Sequence, residues 1–526
     1  MNNTTVSLKR NYLYLTVFVG GMTTLAVEFT ASRMLQTVYG TSNIVWANVI
    51  GLVLFCLTLG YFLGGRWADA RPYPRVFYTI VTMAGFFSVL FLLLTSALLK
   101  TAASALAAIN VGAIASSLVG VVLALFVPIT LLGCLSPFAI RLAVQNVDEA
   151  GRISGRIYAI STMGSLLGTY LPVLLVIPLA GSRVTAVIFG SILLVVGIVG
   201  LYQTKQLAGQ AALVLPVLLV PAVFIWGSGP IKSYEGQIFE TESPYNYVQV
   251  IQRGDCNYLL LNEGQAYHSF YCKDGYVPRV SVWSIMLAAP YFNDPSVAAP
   301  PSRMAVVGLA AGTIPKQFTR VFGPVRVIGI ELDPAIVQAG RDYFAMTDPN
   351  IRTIVGDGRY EFNRLDGRFD VVTIDAYKVP YIPWHLTTVE FYREIAAKLS
   401  DTGVVAVNVG RAPEDRRLVE AITNTMLQVY PTVHSVDVPG SLNTILFATV
   451  QPTNAAFVAE NLAQLPVDVD PLLRAAVETA VINLVPTTAS DVLFTDERAP
   501  VETIVDSLVL RYLLETGPSG LPGLGE

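Results

Sequence analysis

The sequence predicts a chain in two halves, a multi-span α-helical membrane domain followed by an α/β domain built on a parallel sheet. Three observations predict it. Apolar stretches long enough to span a bilayer, about 20 residues each, recur through the first 230 positions. After Gly227-Ser-Gly-Pro230 the composition changes to short strands and charged turns. Between Met304 and Ala376, four apolar runs each end in Gly or an acid, with helix-like segments between them. That alternation is the pattern of a doubly wound parallel sheet, which binds ligands at its carboxyl edge.

Bulk properties narrow the functional classes. A chain of 526 residues is too long for one domain. Its 53% hydrophobic and 14% charged residues, with a mean hydropathy of +0.55, are unusual for a soluble enzyme. The net charge of -4 comes without a basic stripe, which argues against a nucleic-acid partner. Four Cys and three His occur without CxxC or HExxH spacing, so no metal site is expected. The apolar run beginning at Tyr12 is long and others follow it, which argues against a cleavable signal peptide.

The spans are placed near 12–32, 44–65, 76–99, 113–140, 157–180, 184–203 and 207–227, about seven helices in a domain covering 1–230. An extra amphipathic piece, Thr101 to Asn110, accompanies the fourth, and Pro216 and Pro221 interrupt the last. Lys9, Arg10, Arg66, Arg71, Arg75, Arg141, Arg152, Arg156 and Lys205 fall on one side of the bilayer. The other side holds little more than Arg33, Lys100, Arg183 and Lys232. By the positive-inside rule the chain is a multi-pass protein with a cytoplasmic N-terminus. Seven crossings then put the second half outside the cytoplasm; six keep it inside. Glu28 is the one acid well inside a span, and it serves either function or a local pairing with Arg33 or a neighbouring helix. The stretch Gly60-Tyr-Phe-Leu-Gly-Gly-Arg-Trp-Ala-Asp69 is similar to a loop of major-facilitator transporters, although small residues at helix contacts explain most of it.

In the second half, Tyr245–Gln252, Cys256–Asn262 and Ala266–Cys272 read as short antiparallel strands of a small β unit covering 231–300. Cys256 and Cys272 are equally far from Gly264, so a hairpin with the loop Glu263-Gly264-Gln265 opposes them. They are either a cross-strand disulfide, which requires an oxidising compartment, or two unrelated small residues. The α/β domain covers 301–515, with further strands at Gly403–Val409 and Ser441–Ala448, and the Gly/Pro-rich residues 516–526 read as a disordered tail.

The chemistry gathers between Met304 and Ala376. The turn Gly308-Leu-Ala-Ala-Gly312 follows the first strand, and its glycines let backbone approach a ligand closely. Glu331 or Asp333, after the second strand, is placed to bind ribose hydroxyls; the other reading for Asp333, followed by Pro334, is a helix cap. Asp357-Gly358 follows the third strand and Asp375 the fourth. Beyond Asp375 lies an aromatic, Pro-rich stretch from Tyr377 to His385, a candidate lid. A nucleoside site is the expectation. His385 reads as a loop or helix-start residue, and His268, on the hairpin, as a half-exposed strand residue in preference to one that faces the cleft.

These motifs give the second half a resemblance to the spermidine synthases, the polyamine aminopropyltransferases, over about residues 235–450. The order of a small β unit and then a Rossmann-like, methyltransferase-like unit is the same. Members fused to membrane regions carry a segment similar to Thr495-Asp-Glu-Arg-Ala-Pro-Val-Glu502. The resemblance implies a donor, decarboxylated S-adenosylmethionine, as co-substrate with no tightly bound cofactor, held by Gly308, Gly312, Glu331, Asp357 and Gly358. Glu331 would bind the ribose hydroxyls and Asp357 the adenine amino group. Asp375 would be the base that deprotonates a polyamine such as putrescine, with Tyr245 and Tyr377 lining its site. Two positions depart from the family. Ala311 stands where an acid grips the donor's ammonium, and Lys378 where a second acid attracts the polyamine.

Three functions remain open at this stage: aminopropyl transfer, methyl transfer from S-adenosylmethionine, and a non-catalytic, ligand-binding or transport-associated membrane protein with a degenerate site. The expected partners are the lipid bilayer and a small amine, and homo-oligomerisation is left open.

Overall fold

A computed structural model describes residues 3–39, 43–108, 122, 125–204, 212, 214–226, 234–262, 266–377 and 381–516. The chain divides into two compact units, Met1–Ser233 with Thr241–Pro244, and Tyr234–Glu240 with Tyr245–Glu526.

The first unit is helical: α1 (Asn3–Tyr39), α2 (Asn43–Ala70), α3 (Pro74–Ala108), α4 (Leu135–Ala143), α5 (Ala150–Leu171), α6 (Ile177–Gln203) and α7 (Val214–Trp226). Among the described residues, 5 helical stretches are long and apolar enough to cross a membrane: Arg10–Leu35, Trp46–Ala70, Pro74–Phe91, Leu125–Ala143 and Val147–Gln203. By composition, then, a membrane location is open to this unit. The count differs from the seven expected for two reasons. The expected spans at 157–180 and 184–203 run together in a single 57-residue stretch. Pro172, which has no N–H to donate, opens a π-helical turn there (Pro172–Val176), and Gly181 at φ 79° interrupts the helix. The Pro-interrupted seventh is a shorter apolar helix, Val214–Val223. Parts of the expected fourth and seventh spans and of the Thr101–Asn110 piece lie outside the described residues. So do the hairpin loop Glu263–Gln265, Lys378 and the tail from residue 517. Arg33, weighed above as a partner of Glu28, donates to the backbone carbonyl of Pro244 at 3.2 Å and to that of Ser243.

The second unit opens with a four-stranded sheet in the order β1 (Gln237–Glu242), β2 (Tyr247–Arg253), β3 (Cys256–Leu261) and β4 (Tyr267–Cys272). The register pairs Cys256 with Cys272, and the two form a disulfide. A bulge between Leu259 and Leu260 shifts the pairing by one residue toward the loop, which the symmetric hairpin read from the sequence lacks. A short helix α8 (Val282–Ile285), capped by Ser281, then leads into a 3-10 segment, Met286–Phe292.

The eight-stranded sheet that follows comprises β5 (Arg303–Val307), β6 (Arg326–Glu331), β7 (Ile351–Val355), β8 (Phe369–Ile374), β9 (Leu399–Gly410), β10 (Thr432–Asp437), β11 (Asn443–Thr449) and β12 (Leu484–Val485). Its order is β12-β10-β11-β9-β8-β5-β6-β7. Strands β5 to β9 pair in parallel, and β10, β11 and β12 join antiparallel. Helices α9 (Thr313–Phe322), α10 (Pro334–Tyr343), α11 (Gly358–Asn363), α12 (Val389–Ala396) and α13 (Arg417–Leu427) alternate with the strands.

The near-continuous apolar strands are explained by burial on both faces. Side chains alternate across the sheet: Ala305 and Val307 of β5 join one core with Val372, Ile374, Val405 and Val407, while Met304 and Val306 join another with Val371, Val404 and Ala406. A third core seats the small sheet on α10, with Val248, Val250 and Leu259 against Ile336, Ala339 and Phe344. Strand order reverses between β5 and β8, so the crevice at their carboxyl ends is where a parallel sheet of this kind admits a ligand.

Candidate functional site

Glu331, Asp333, Asp357 and Asp375 all lie at that carboxyl edge, because each stands at the end of a parallel strand or within two residues of it. After β5 the chain turns at Gly308, φ 87°, where a Cβ would lie 2.5 Å from the carbonyl oxygen of Asp375. Only glycine lets the two strand ends approach this closely. The turn proceeds through Ala310, also at positive φ (47°), to Gly312 (φ 90°), which starts α9.

Glu331, at the end of β6, reaches into this turn. Its Oε2 accepts from the Ala310 N–H at 2.8 Å and its Oε1 from the Asp333 N–H at 3.1 Å. Burial pushes its carboxyl up to about 7, aided by the charge of Asp333 and opposed by the backbone donors. Asp333 has a different task. Its Oδ1 caps α10 by accepting from the Ala335 N–H at 2.9 Å, and its Oδ2 accepts from Asn246 Nδ2 at 2.9 Å. Of the two acids the sequence left open, the structure therefore uses Asp333 as the cap and leaves Glu331 facing the glycine turn.

Asp357, after β7, caps α11: its Oδ1 accepts from the N–H groups of Arg359 and Tyr360 at 3.1 and 3.0 Å. Its Oδ2 meets His385 Nε2 at 3.0 Å. Gly358 beside it is needed for packing, since a Cβ there would lie 2.7 Å from Val307 Cγ1.

Asp375, after β8, is partly buried, and its Oδ1 accepts from Asn408 Nδ2 at 2.9 Å. Desolvation raises its pKa, while hydrogen bonds from Asn408 and Trp283 act against the rise. Asn408 is itself oriented by Asn443, whose Nδ2 donates to Asn408 Oδ1 at 2.7 Å. The Tyr377 hydroxyl donates to the Asn408 carbonyl at 3.1 Å, so Tyr377 is tied to the Asp375 end. Tyr245 is 45% exposed and lies one residue from Asn246, the partner of Asp333. His268 is half-buried, with desolvation lowering its pKa to about 4.

Ala311 is 1% exposed and belongs to the core that joins the small sheet to α10, with Ala339 and Phe344. Its N–H donates to Ser269 Oγ at 3.0 Å. At this burial a larger, charged side chain would have to displace core neighbours.

Three functional candidates escaped the sequence reading. Asn408 is a polar residue inside the apolar run Gly403–Val409, and that interruption of a strand buried on both faces was the available signal. Asn443 belongs to the neighbouring strand, which only the pairing of β9 with β11 reveals. Arg359 bonds Glu394 at 2.8 Å, Asp496 at 2.7 and 2.9 Å, and the His385 carbonyl at 3.3 Å. Glu394 and then Asp496 hold the Arg359 pKa above its ordinary value. Asp496 lies in the Thr495–Glu502 segment singled out above; it also accepts from Thr388 Oγ1 at 2.7 Å.

No protein-family model matches the chain. Among curated proteins, it is 28% identical over 214 residues to a Bifidobacterium longum protein named "Probable polyamine aminopropyl transferase", covering 40% of this chain and 46% of that one. It is 28% identical over 205 residues to a Vibrio vulnificus polyamine aminopropyltransferase, covering 37% of this chain and 66% of the relative. The chain thus spans about half to two thirds of the length of these relatives. A Danio rerio eEF1A lysine and N-terminal methyltransferase is 26% identical over 194 residues, 34% of this chain and 28% of that protein. Among solved structures, a "probable spermidine synthase" from Corynebacterium glutamicum is 18% identical with a TM-score of 0.38, covering 49% of this chain and 96% of that one. The sequence matches lie in the C-terminal part of the chain, which is similar at low identity to the polyamine aminopropyltransferases, the spermidine synthase family.

Proposed function

We propose that the second half of this chain transfers an aminopropyl group from decarboxylated S-adenosylmethionine to a polyamine such as putrescine. The observation that carries this reading is the convergence of Glu331, Asp357 and Asp375 around the Gly308–Gly312 turn at one sheet edge. Glu331 would accept from the ribose hydroxyls and Asp357 from the adenine amino group. Asp375 would take a proton from the amine, which as an ammonium has no lone pair. The freed nitrogen attacks the aminopropyl carbon beside the sulfonium, the carbon–sulfur bond breaks, and the thioether leaves. A partly buried carboxylate is a stronger base than an exposed one, which suits Asp375 to that step. With purified full-length protein, putrescine and the decarboxylated donor, Asp375→Asn is expected to lower turnover at least about 100-fold. Activity retained in that variant would remove Asp375 from the mechanism.

Buried Ala311 and the methyltransferase relative favour a second reading, methyl transfer from intact S-adenosylmethionine. Calorimetry with both donors separates the two: a clear preference for the decarboxylated one sinks methyl transfer.

We also place the first half in the membrane and the second half outside the cytoplasm. The apolar helices support the first statement, and the Cys256–Cys272 disulfide supports the second. In intact cells held at native redox state, both cysteines should resist alkylation until a reductant is added from outside. Free thiols that an impermeant reagent labels only after permeabilisation would put the domain inside.

A further inference from the structure

At the base end of the proposed donor site, Asp357 has two oxygens with different occupants. Oδ1 takes two backbone N–H groups as the cap of α11, which fills its two lone-pair directions. Oδ2 takes one partner among the described residues, His385 Nε2 at 3.0 Å. A carboxylate accepts, so the proton of this contact sits on Nε2, and one direction at Oδ2 remains for a ligand N–H. His385 lies in the 3-10 turn Trp384–Leu386 of the aromatic stretch that follows Asp375. Its backbone carbonyl accepts from Arg359 at 3.3 Å, and the same guanidinium bonds Glu394 and Asp496. The imidazole is thus held against Asp357 from a turn that is itself fixed to Arg359, on the helix that Asp357 caps.

We propose that His385 is a positioning residue for the nucleobase: it orients Asp357 Oδ2 so that the carboxylate accepts from an exocyclic amino group and rejects a base bearing an oxo group there. This rests on the donor-site reading above. The rejected base would point a carbonyl oxygen at a carboxylate oxygen, two acceptors with no proton between them. Arg359 acts one step further out, by fixing the turn that carries the imidazole.

The test measures binding of 5′-methylthioadenosine and its 6-oxo counterpart, 5′-methylthioinosine, to the full-length protein by calorimetry. The wild type should prefer the amino form at least about tenfold, the loss of one hydrogen bond to a charged group. His385→Ala should lower that ratio below about threefold, and His385→Gln, which keeps an N–H donor, should restore it. A ratio unchanged in His385→Ala overturns the proposal, as does an equal loss of both ligands, which would mark a purely structural role. Unfolding midpoints identify a misfolded His385→Ala, in which case the inference stands or falls on His385→Gln keeping the wild-type ratio. A wild type that binds neither nucleoside overturns the donor-site reading itself, and so is distinguishable from failure of the His385 assignment alone.

Discussion

The two ends of the candidate site follow different rules. At the proposed ribose and base end, Glu331 and Asp357 are both held by backbone N–H groups. Their side chains tie strand ends to the next turn or helix, so the local fold itself favours an acid there. At the opposite end, Ala311 is built into an apolar contact between the small sheet and α10, and the second departure, Lys378, lies outside the described residues. The acids with structural partners, Glu331, Asp357 and Asp375, keep the pattern of the resemblance, and the position whose acid would only meet ligand, Ala311, departs from it. On the proposed reading, a nucleoside grip would persist in this chain while selection for the donor's tail changes.

The strongest challenge to that contrast is Ala311→Asp. If the position is a packed core site, the new carboxyl has no partner and must displace its neighbours, at a cost of at least about 2 kcal/mol. Denaturant unfolding should show that loss with no gain in affinity for the decarboxylated donor. A variant of wild-type stability that binds this donor more tightly would show the tail end to be an open ammonium site, and the contrast would fail.

Glu331→Gln tests the other end. Removing the charge should weaken nucleoside binding about 10- to 100-fold, the equivalent of one charge-assisted hydrogen bond. The wild type should also show a pH effect, since burial raises this carboxyl to about 7. Only the ionised form accepts from both hydroxyls, so affinity should rise between pH 6 and 8 and lose that slope in Glu331→Gln. The stability sign is opposite. Between the ordinary value of 4.5 and about 7 the folded state binds the proton more tightly than the unfolded state. The contribution of Glu331 to stability is therefore complete below the lower value and lost as pH rises through the upper one. Affinity that stays flat across this range would mean that Glu331 does not touch the ligand.

Much of the fold was legible because the signals were local. Runs such as Met304–Val307 and Phe369–Ile374 are apolar throughout, since both sheet faces are covered, and each ends in the Gly or acid that the carboxyl edge uses. Opposition of Cys256 and Cys272 followed from counting residues around the loop, whereas the bulge at Leu259–Leu260 left the composition unchanged and could not be counted. The site was legible only where a residue acts from its own strand end. Arg359 reaches partners 35 and 137 positions away, and Asn443 touches Asn408 only because β9 and β11 pair. No spacing rule announces contacts of that range. The helical half was legible as apolar length, and the break expected between the stretches 157–180 and 184–203 falls at Gly181, where the backbone leaves helical geometry.

The smallest effect separates two acids that stand only two residues apart. Asp333 caps α10 and accepts from Asn246, so Asp333→Ala should lower stability by about 1–2 kcal/mol, the usual cost of losing an N-cap. Because its oxygens face the helix start and the small sheet, nucleoside affinity should change less than about threefold once the folded fraction is accounted for. Asp333→Asn keeps an oxygen for the cap and should recover most of the stability. Glu331→Gln should show the reverse pattern, weak binding in a stable protein. If Asp333→Ala instead loses affinity while keeping its unfolding midpoint, the ribose contact belongs to Asp333. The cap geometry would then describe only the unliganded arrangement of a residue that turns to the ligand on binding.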